Sequence, residues 1–285
     1  MALPLDQLGP SAGRSVATID LDRARAYAEA TNDGNRRYVD GEFAPPVFGV
    51  VPTWNTLFGL AMAAVPAADL PMLLHAEQDM VFRQPLRPGM TLVSVGDVHD
   101  VRVVRSGTWL TVRVESADGD SGEPVLEQFA TMFVRGMGAG EVGAGDFGPD
   151  RPEHGFVEGA RERPLGEVVR RVDEDQTFRY AAASGDTNPI HVDVEFAQRA
   201  KLPGIILHGL CTMAMCGAAV VDSVLDGDPS RLARLAVRFS KPVFPGSDLA
   251  VSLYDGGAGD VRFEAVSDGK LVVRDGLAEV REASA

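Results

Sequence analysis

The fold is decided by a stretch that occurs twice, DLDRARAYAEATNDGNRRYVDGEFA at residues 20–44 and DEDQTFRYAAASGDTNPIHVDVEFA at residues 173–197. The two copies align without a gap. Further along, AEQDMVFRQPLRPG at residues 76–89 matches ARLAVRFSKPVFPG at residues 233–246, after a short insertion in the second copy. Because similar segments recur in the same order, the sequence predicts two structurally similar units.

A glycine-rich segment separates the two copies. Residues 136–148 read GMGAGEVGAGDFG, and a polar stretch follows them. Such a composition is typical of a flexible connection between folded units. We therefore predict an N-terminal unit at residues 1–140, a linker at 141–160 and a C-terminal unit at 161–285.

Each copy has the same order of predicted elements. Asp20 and Asp173 are each placed to cap a short helix. Apolar runs follow at residues 51–65 and 208–225, and the second is apolar on nearly every side, as a helix enclosed by its neighbours is. Segments in which apolar and polar residues alternate then predict antiparallel strands at residues 92–104, 108–117, 124–136, 232–243, 249–256, 261–268 and 271–280. A buried helix wrapped by an antiparallel sheet, present twice, is an α+β fold.

The composition narrows the class of protein. The 285 residues carry a formal net charge of -14 and no basic cluster, which argues against a nucleic-acid partner. No run reaches about 18 uninterrupted apolar residues and the N-terminus lacks a secretory pattern, so we expect a cytoplasmic protein without membrane contact. Cys211 and Cys216 are predicted to be buried, reduced thiols. His99 and His154 are predicted to lie at the surface.

The second copy contains an acid, an amide and an imidazole close together, at Asp186, Asn188 and His191. The glycine before Asp186 and the Asn-Pro step predict a loop, which allows the acid and the imidazole to point toward one place. Gly209 is predicted in the first turn of the buried helix, where its N–H lacks an intrahelical partner and the helix dipole favours negative charge. This combination suits addition of water to an α,β-unsaturated thioester, which needs proton transfer and a donor for the enolate oxygen. The chemistry requires no metal ion and no other cofactor.

The run YAAASGDTNPIHVDVEFA, followed by LPGIILHGL, resembles the hydratase-2 motif of the MaoC-like dehydratase family, whose members have the hot-dog fold. Two copies in one chain are similar to the double-hot-dog members of that family. The resemblance implies a lyase of fatty acid metabolism, which hydrates trans-2-enoyl-CoA to (3R)-3-hydroxyacyl-CoA or catalyses the reverse dehydration. It also implies that Asp186 and His191 form the acid/base pair, that Asn188 supports them, and that Gly209 supplies an N–H to the oxyanion.

The resemblance further implies residues that contact the acyl-CoA substrate. The segment LLHAEQ is similar to the family's LHGEQ element, so His75 and Ala76 would line the site, although Ala76 replaces the family's glycine. Phe239 matches a position expected to touch the acyl-CoA. Ser184 and His208 border the same site. The alternatives are a turn hydroxyl for Ser184, a packing or capping histidine at the helix entry for His208, and a core histidine for His75.

The first copy keeps the acid and the amide, at Asp33 and Asn35, but has Tyr38 where the second copy has His191. That copy therefore lacks a base that titrates near neutral pH. We predict one active site per chain, in the second copy, and expect the first unit to accommodate the acyl chain. The central segment of the first unit is rich in small residues, namely Gly59, Ala61, Ala63 and Ala64.

Two other functions stay open. A hot-dog acyl-CoA thioesterase would use a carboxylate to activate water for attack on the carbonyl, and a non-catalytic acyl-thioester-binding protein would not need the Asp/His pair. The sequence also leaves open the acyl chain length, CoA or an acyl-carrier protein as the thioester carrier, the physiological direction, and which of Asp186 and His191 protonates the α-carbon. A monomer and a homodimer of double-hot-dog chains are both compatible with it.

Overall fold

The computed structural model describes residues 13–137 and 153–282, which form two compact units. The first unit comprises the described parts of Met1–Thr18, Pro52–Gln84 and Met90–Glu153, and the second those of Ile19–Val51, Pro85–Gly89 and His154–Ala285. The start of the first sequence copy, from Ile19 to Val51, thus belongs to the second unit. The predicted domain limits follow the two sequence copies, and they stay a prediction. Residues 141–152 of the predicted linker lie outside the described residues.

The helices and strands follow the order that the repeat predicts. The helices are α1 (Leu21–Ala30), α2 (Arg36–Val39), α3 (Val50–Ala64), α4 (Gln176–Ser184), α5 (Pro189–Val192), α6 (Val194–Arg199) and α7 (Gly209–Val224). The strands are β1 (Arg14–Thr18), β2 (Leu73–Phe82), β3 (Thr91–Val104), β4 (Gly107–Asp118), β5 (Pro124–Arg135), β6 (Pro164–Arg171), β7 (Leu232–Phe239), β8 (Asp248–Gly257), β9 (Asp260–Ser267) and β10 (Lys270–Val280). All seven predicted strands are confirmed.

The first unit is an antiparallel sheet with the strand order β1-β3-β4-β5-β2, together with most of α3. The Gln128 side chain on β5 donates a hydrogen bond from Nε2 to Thr53 Oγ1 on α3 at 2.9 Å, which ties the start of the helix to the sheet. Leu57 and Ala61 of α3 are fully buried, whereas Met62 is 53% exposed. The apolar helix therefore has one face in the core and one face open.

The second unit contains α7 and five antiparallel strands in the order β7-β10-β9-β8-β6. Every residue of α7 from Leu210 to Val221 is buried, which confirms the predicted enclosed helix. Leu235 of β7 packs against Gly217 so closely that a Cβ there would lie 2.9 Å from Leu235 Cδ2. A long apolar helix thus lies directly on a sheet in this unit, as predicted.

The two short helices that open the copies pack side by side in the second unit. Helix α1 begins as predicted, because Asp20 Oδ1 accepts from Arg23 N at 2.8 Å. The predicted cap at Asp173 is wrong, since α4 begins at Gln176 and the Gln176 side chain instead accepts from Asp173 N at 3.0 Å. The Gln176 amide reaches across to the Ala30 carbonyl at the end of α1 at 2.6 Å. The glutamine therefore joins the two helices while organising its own helix start.

Two predictions about histidines are wrong. His99 and His154 are only 4% and 2% exposed. The His99 ring packs edge-on against Phe129, with 5.2 Å between ring centroids, and His154 Nδ1 donates to the Asp275 carbonyl at 2.8 Å. Each histidine is thus accommodated by an aromatic or backbone partner that the local sequence does not reveal. Cys211 and Cys216 are free and buried, as predicted.

One helical stretch meets the length and composition of a membrane span. Pro46–Ala64 has 19 residues with a mean hydropathy of 1.4, and 61% of its apolar window is buried inside the protein. The prediction of no span considered only uninterrupted apolar runs, and polar residues such as Thr53 and Asn55 interrupt this one. The core helix of a soluble protein passes the same test, so the stretch is weak evidence for a membrane. The absence of membrane contact stays a prediction.

Candidate active site

The candidate site begins where α4 ends. Gly185 adopts a left-handed conformation with φ of 87° and ends the helix, which glycine does without a steric penalty. Ser184 is buried, and its hydroxyl donates to the Tyr180 carbonyl at 2.7 Å and accepts from Asp186 N at 3.1 Å. Ser184 thus has the geometry of the alternative role, a turn hydroxyl that sets the direction of the chain into Asp186.

Asn188 shapes the next turn through two hydrogen bonds. Its backbone N–H donates to Asp186 Oδ1 at 3.1 Å, and its side-chain oxygen accepts from Ile190 N at 3.2 Å, which caps α5. Pro189 occupies the first position of that helix, where its missing N–H costs nothing. The stretch predicted as a loop therefore becomes one turn of helix from Pro189. This turn carries His191 back toward Asp186.

The tautomer of His191 follows from its backbone partner. His191 Nδ1 lies 2.8 Å from the Ile206 carbonyl oxygen. A carbonyl only accepts, so Nδ1 carries the hydrogen and Nε2 of the neutral ring holds the free lone pair. His191 therefore presents a base at Nε2, in the protonation state that general base catalysis needs.

Burial acts on the two titratable groups of the pair in opposite directions. It raises the pKa of Asp186, and the nearby His191 and the Asn188 N–H oppose this rise. It lowers the pKa of His191, and Asp186 and the Ile206 carbonyl oppose that fall. Both shifts favour the neutral forms, which brings an acid and a base toward the same pH range. The pair is thus suited to exchanging a proton with a bound water.

Gly209 is the first residue of α7, as predicted. Its N–H has no intrahelical partner at that position, and the helix dipole adds partial positive charge there. A Cβ on Gly209 would lie 3.3 Å from Phe239 Cζ, so the glycine lets the Phe239 ring pack directly against the helix start. His208, the residue before it, is buried. The helix start therefore offers a backbone donor in the same unit as the acid/base pair.

Asp186, His191 and His208 also have the composition of a metal site. One ligand atom from each lies within 4.8 Å of the others. However, the two imidazole rings stack with centroids 3.8 Å apart and planes at 26°. Imidazole lone pairs lie in the ring plane, so stacked rings do not direct their lone pairs at one ion. The arrangement fits proton transfer better than metal coordination.

His75 and Ala76 lie on β2 in the first unit. The His75 ring is half-buried, its Nε2 lies 3.1 Å from the Glu77 carbonyl, and the ring packs edge-on against Phe58. Burial lowers the pKa of His75 to about 4, so the ring is neutral at physiological pH. Contact of His75 and Ala76 with substrate stays a prediction.

Three residues that shape the site were not predicted. Arg23 of α1 donates from Nε to the Ala183 carbonyl at 3.1 Å and from Nη2 to the Ser184 carbonyl at 2.9 Å. Tyr180 packs against the His208 ring, and its hydroxyl lies 3.1 Å from the Tyr27 hydroxyl. The alignment of the two tyrosines in the repeat was a usable signal for their contact. No sequence signal marked Arg23.

Two family models match the chain. The MaoC like domain matches residues 157–274, and the MFE-2 hydratase 2 N-terminal domain matches residues 39–136. The 3-hydroxyacyl-thioester dehydratase Y of Mycobacterium tuberculosis is 35% identical over 243 residues, which cover 81% of this chain and 81% of the relative. The peroxisomal enoyl-CoA hydratase 2 of Arabidopsis thaliana is 27% identical over 278 residues, 94% of this chain and 89% of the relative.

Solved structures show the same fold. A MaoC-like dehydratase from Phytophthora capsici has a TM-score of 0.82 at 23% identity, over 95% of this chain and 96% of that one. A protein from Mycobacterium tuberculosis described as a double hot-dog fold has a TM-score of 0.61 at 14% identity, over 95% of this chain and 93% of that one. The predicted double-hot-dog α+β fold is therefore confirmed.

Proposed function

Because the chain belongs to the MaoC-like dehydratase family, we propose that it catalyses (R)-specific hydration of trans-2-enoyl-CoA to (3R)-3-hydroxyacyl-CoA, or the reverse dehydration. The enzyme is a hydro-lyase. The single observation that carries the proposal is the Asp186–His191 pair, which lies in one turn of chain with its titratable groups close together. The start of α7 at Gly209, in the same unit, adds a candidate backbone donor.

The pair and the helix start supply the groups that the reaction needs. A water molecule held by Asp186 and His191 attacks the β-carbon and gives up one proton to the pair. The electrons of the carbon–carbon double bond move onto the thioester oxygen, where the N–H of Gly209 stabilises the enolate. The α-carbon then takes a proton from the pair, so the net addition is one water. Asn188 supports this arrangement by holding the Asp186 carboxylate through its N–H.

The acyl chain is proposed to be accommodated by the first unit, with His75 and Ala76 of β2 and Phe239 of β7 near the thioester. The small residues of the central segment of the first copy, Gly59, Ala61, Ala63 and Ala64, support this assignment. A series of trans-2-enoyl-CoAs of increasing length tests it. Equal kcat/KM for crotonyl-CoA and for chains of eight or more carbons would contradict it.

We propose CoA as the thioester carrier and a soluble cytoplasmic enzyme, active as a monomer or a homodimer. Several relatives are named as peroxisomal, so the compartment is tested directly by cell fractionation. The same enoyl group presented on an acyl-carrier protein tests the carrier. A higher kcat/KM with the acyl-carrier protein would overturn the choice of CoA.

The proposed reaction is tested by two measurements on one incubation with a trans-2-enoyl-CoA. Hydration removes the enoyl absorbance without releasing a free thiol, whereas a thioesterase releases CoA thiol. Chiral analysis should give only the (3R) product. Asp186→Asn and His191→Ala should each slow the loss of enoyl absorbance by at least about 100-fold. Free thiol as the main product, or an unchanged rate of hydration in both variants, would contradict the proposed reaction.

A further inference from the structure

His208 lies between the acid/base pair and the start of α7. Its side chain is 1% exposed, and its Nε2 lies 3.0 Å from the backbone carbonyl oxygen of Asp186. Because a carbonyl only accepts, Nε2 carries the hydrogen and donates it. This bond fixes the main chain of the catalytic acid to the helix that supplies the oxyanion donor.

The His208 ring also fixes the catalytic base. Its centroid lies 3.8 Å from that of His191, with the planes at 26°, so the rings stack. The His208 ring in turn packs against Tyr180, with centroids 4.7 Å apart, and the Tyr180 hydroxyl lies 3.1 Å from the Tyr27 hydroxyl. A series of three buried rings thus supports the face of His191.

His208 is not equipped to transfer protons itself. Its Nδ1 is buried and has no hydrogen-bond partner among the residues that the structure describes. Burial and the nearby His191 lower the pKa of His208 to about 3, so the ring stays neutral through the range in which the enzyme works. A neutral ring supports His191 without adding a repelling charge.

We propose that His208 is a positioning residue, which aligns Asp186 through its hydrogen bond and His191 through its stacking, and does not touch the substrate. The inference rests on the proposed hydration and goes beyond it, because it assigns to a buried side chain the relative placement of the two reacting groups. Small displacements of such groups cost large factors in rate.

Two substitutions separate the two contacts. His208→Phe keeps an aromatic ring for stacking and removes the donor to Asp186, whereas His208→Gln keeps an N–H donor and removes the ring. We expect each variant to lower kcat by about 10- to 100-fold while KM changes by less than about threefold. His154→Phe removes a comparable bond, from a buried histidine to the Asp275 backbone carbonyl, and serves as the matched control outside the candidate site, with kcat of its folded fraction within about twofold of the wild type.

A pH measurement separates positioning from a purely structural role. Loss of the stacked ring in His208→Gln admits water to His191, so the pKa of His191 should rise toward its usual range. We expect the NMR titration of the His191 ring to move to higher pH in His208→Gln and to stay near the wild-type position in His208→Phe. The titration is read from the folded protein and does not depend on activity.

The outcomes distinguish this inference from the proposed function. If wild-type protein hydrates enoyl-CoA and both His208 variants keep the wild-type kcat, the positioning role is wrong and the function stands. An increase in KM alone would assign His208 to substrate contact and also overturn the inference. If wild-type protein shows no hydration, the function fails, and the His191 titration still decides whether His208 controls that ring.

Discussion

The loop Asp186–His191 and its counterpart Asp33–Tyr38 lie in the same compact unit and share their backbone design. In each loop the asparagine N–H donates to the aspartate Oδ1 at 3.1 Å. Each asparagine side chain then caps a four-residue helix, α2 or α5, by accepting a backbone N–H at 3.0 or 3.2 Å. The backbone scaffold of the proposed catalytic loop is therefore present twice.

The side chains at the end of the two loops differ. His191 is half-buried and its Nδ1 is bonded to Ile206, which leaves Nε2 as a base. Tyr38 is 1% exposed, and burial raises its pKa well above the usual range, so the hydroxyl does not act as a base. Asn35 is further anchored by its Nδ2 bond to the Gly227 carbonyl at 2.9 Å. The two loops therefore share one turn structure, and the imidazole that we propose as the base is present in only one of them.

The largest effect should come from removing that imidazole. We expect His191→Ala to lower kcat for enoyl-CoA hydration by about 10²- to 10⁴-fold, since general acid–base groups contribute factors of that size. Tyr38→Ala is the matched control at the equivalent position, and the activity of its folded fraction should stay within about twofold. Comparable losses in both variants would mean that the first loop takes part in catalysis.

Much of this comparison was available from the sequence. The alternation of apolar and polar residues predicts the seven strands, and the unbroken apolar run predicts the enclosed helix α7, because both depend on local pattern. The predicted approach of Asp186 and His191 also holds, because an Asx turn and a Pro-led helical turn lie within a few residues of each other. Local patterns thus predict that the two residues of the proposed catalytic pair lie close together.

What was not predicted depends on contacts distant in sequence. Strands β1 and β6 lie at the sheet edges and are short and largely exposed, so their pattern is weak. The stacking of His208 on His191 requires α7 to fold back onto α5, and the Arg23 bonds to α4 cross most of the chain. The sequence shows which residue types make these contacts, but it does not show that those residues lie close together in the fold.

Asp33, the acid of the first loop, should change how the free energy of unfolding depends on pH. Burial raises the pKa of Asp33 from 3.8 to about 6, with nearby Asp222 adding to the rise and Arg170 opposing it. Between these values the folded protein keeps a proton that the unfolded chain has lost, so this group makes the protein less stable as pH rises. The cost is complete above pH 6 and amounts to about 3 kcal/mol at about 1.4 kcal/mol per pKa unit.

Chemical denaturation of wild-type protein and Asp33→Asn at several pH values measures this effect. The free energy of unfolding of Asp33→Asn should match the wild type near pH 4 and exceed it by about 3 kcal/mol at pH 7. Asp40→Asn, at an exposed position just after α2, removes the same charge without a burial penalty and is the control. A constant difference between Asp33→Asn and wild type across the range would rule out the raised pKa.

Two arginines of α1 allow the supports of the two loops to be compared. Arg23 donates to the Ala183 and Ser184 carbonyls just before the proposed catalytic loop, and Arg25 donates to the Val39 carbonyl just after the counterpart loop at 2.9 Å. Arg23→Met should lower kcat by about tenfold, because the end of α4 loses its clamp, whereas Arg25→Met should keep kcat within about twofold. Steady-state kinetics of both variants measure the two effects on kcat. Equal losses of kcat would contradict the prediction that Arg23 supports the active loop more than Arg25 does.

The smallest effect concerns the hydroxyl of Tyr38, which occupies the position in the first loop that His191 occupies in the second. Tyr38 Oη is buried and has no hydrogen-bond partner in the part of the chain that the structure describes, whereas Tyr180 Oη lies 3.1 Å from Tyr27 Oη. Removing an unsatisfied buried hydroxyl relieves a desolvation cost, so Tyr38→Phe should raise the free energy of unfolding by up to about 1 kcal/mol. Tyr180→Phe, which breaks a made bond, should lower it by about 1 kcal/mol. If denaturant titrations give changes of opposite sign in the free energy of unfolding, Tyr38 contributes to the core through the packing of its ring and not through its hydroxyl. A loss in both would mean that Tyr38 Oη is satisfied by a bound water.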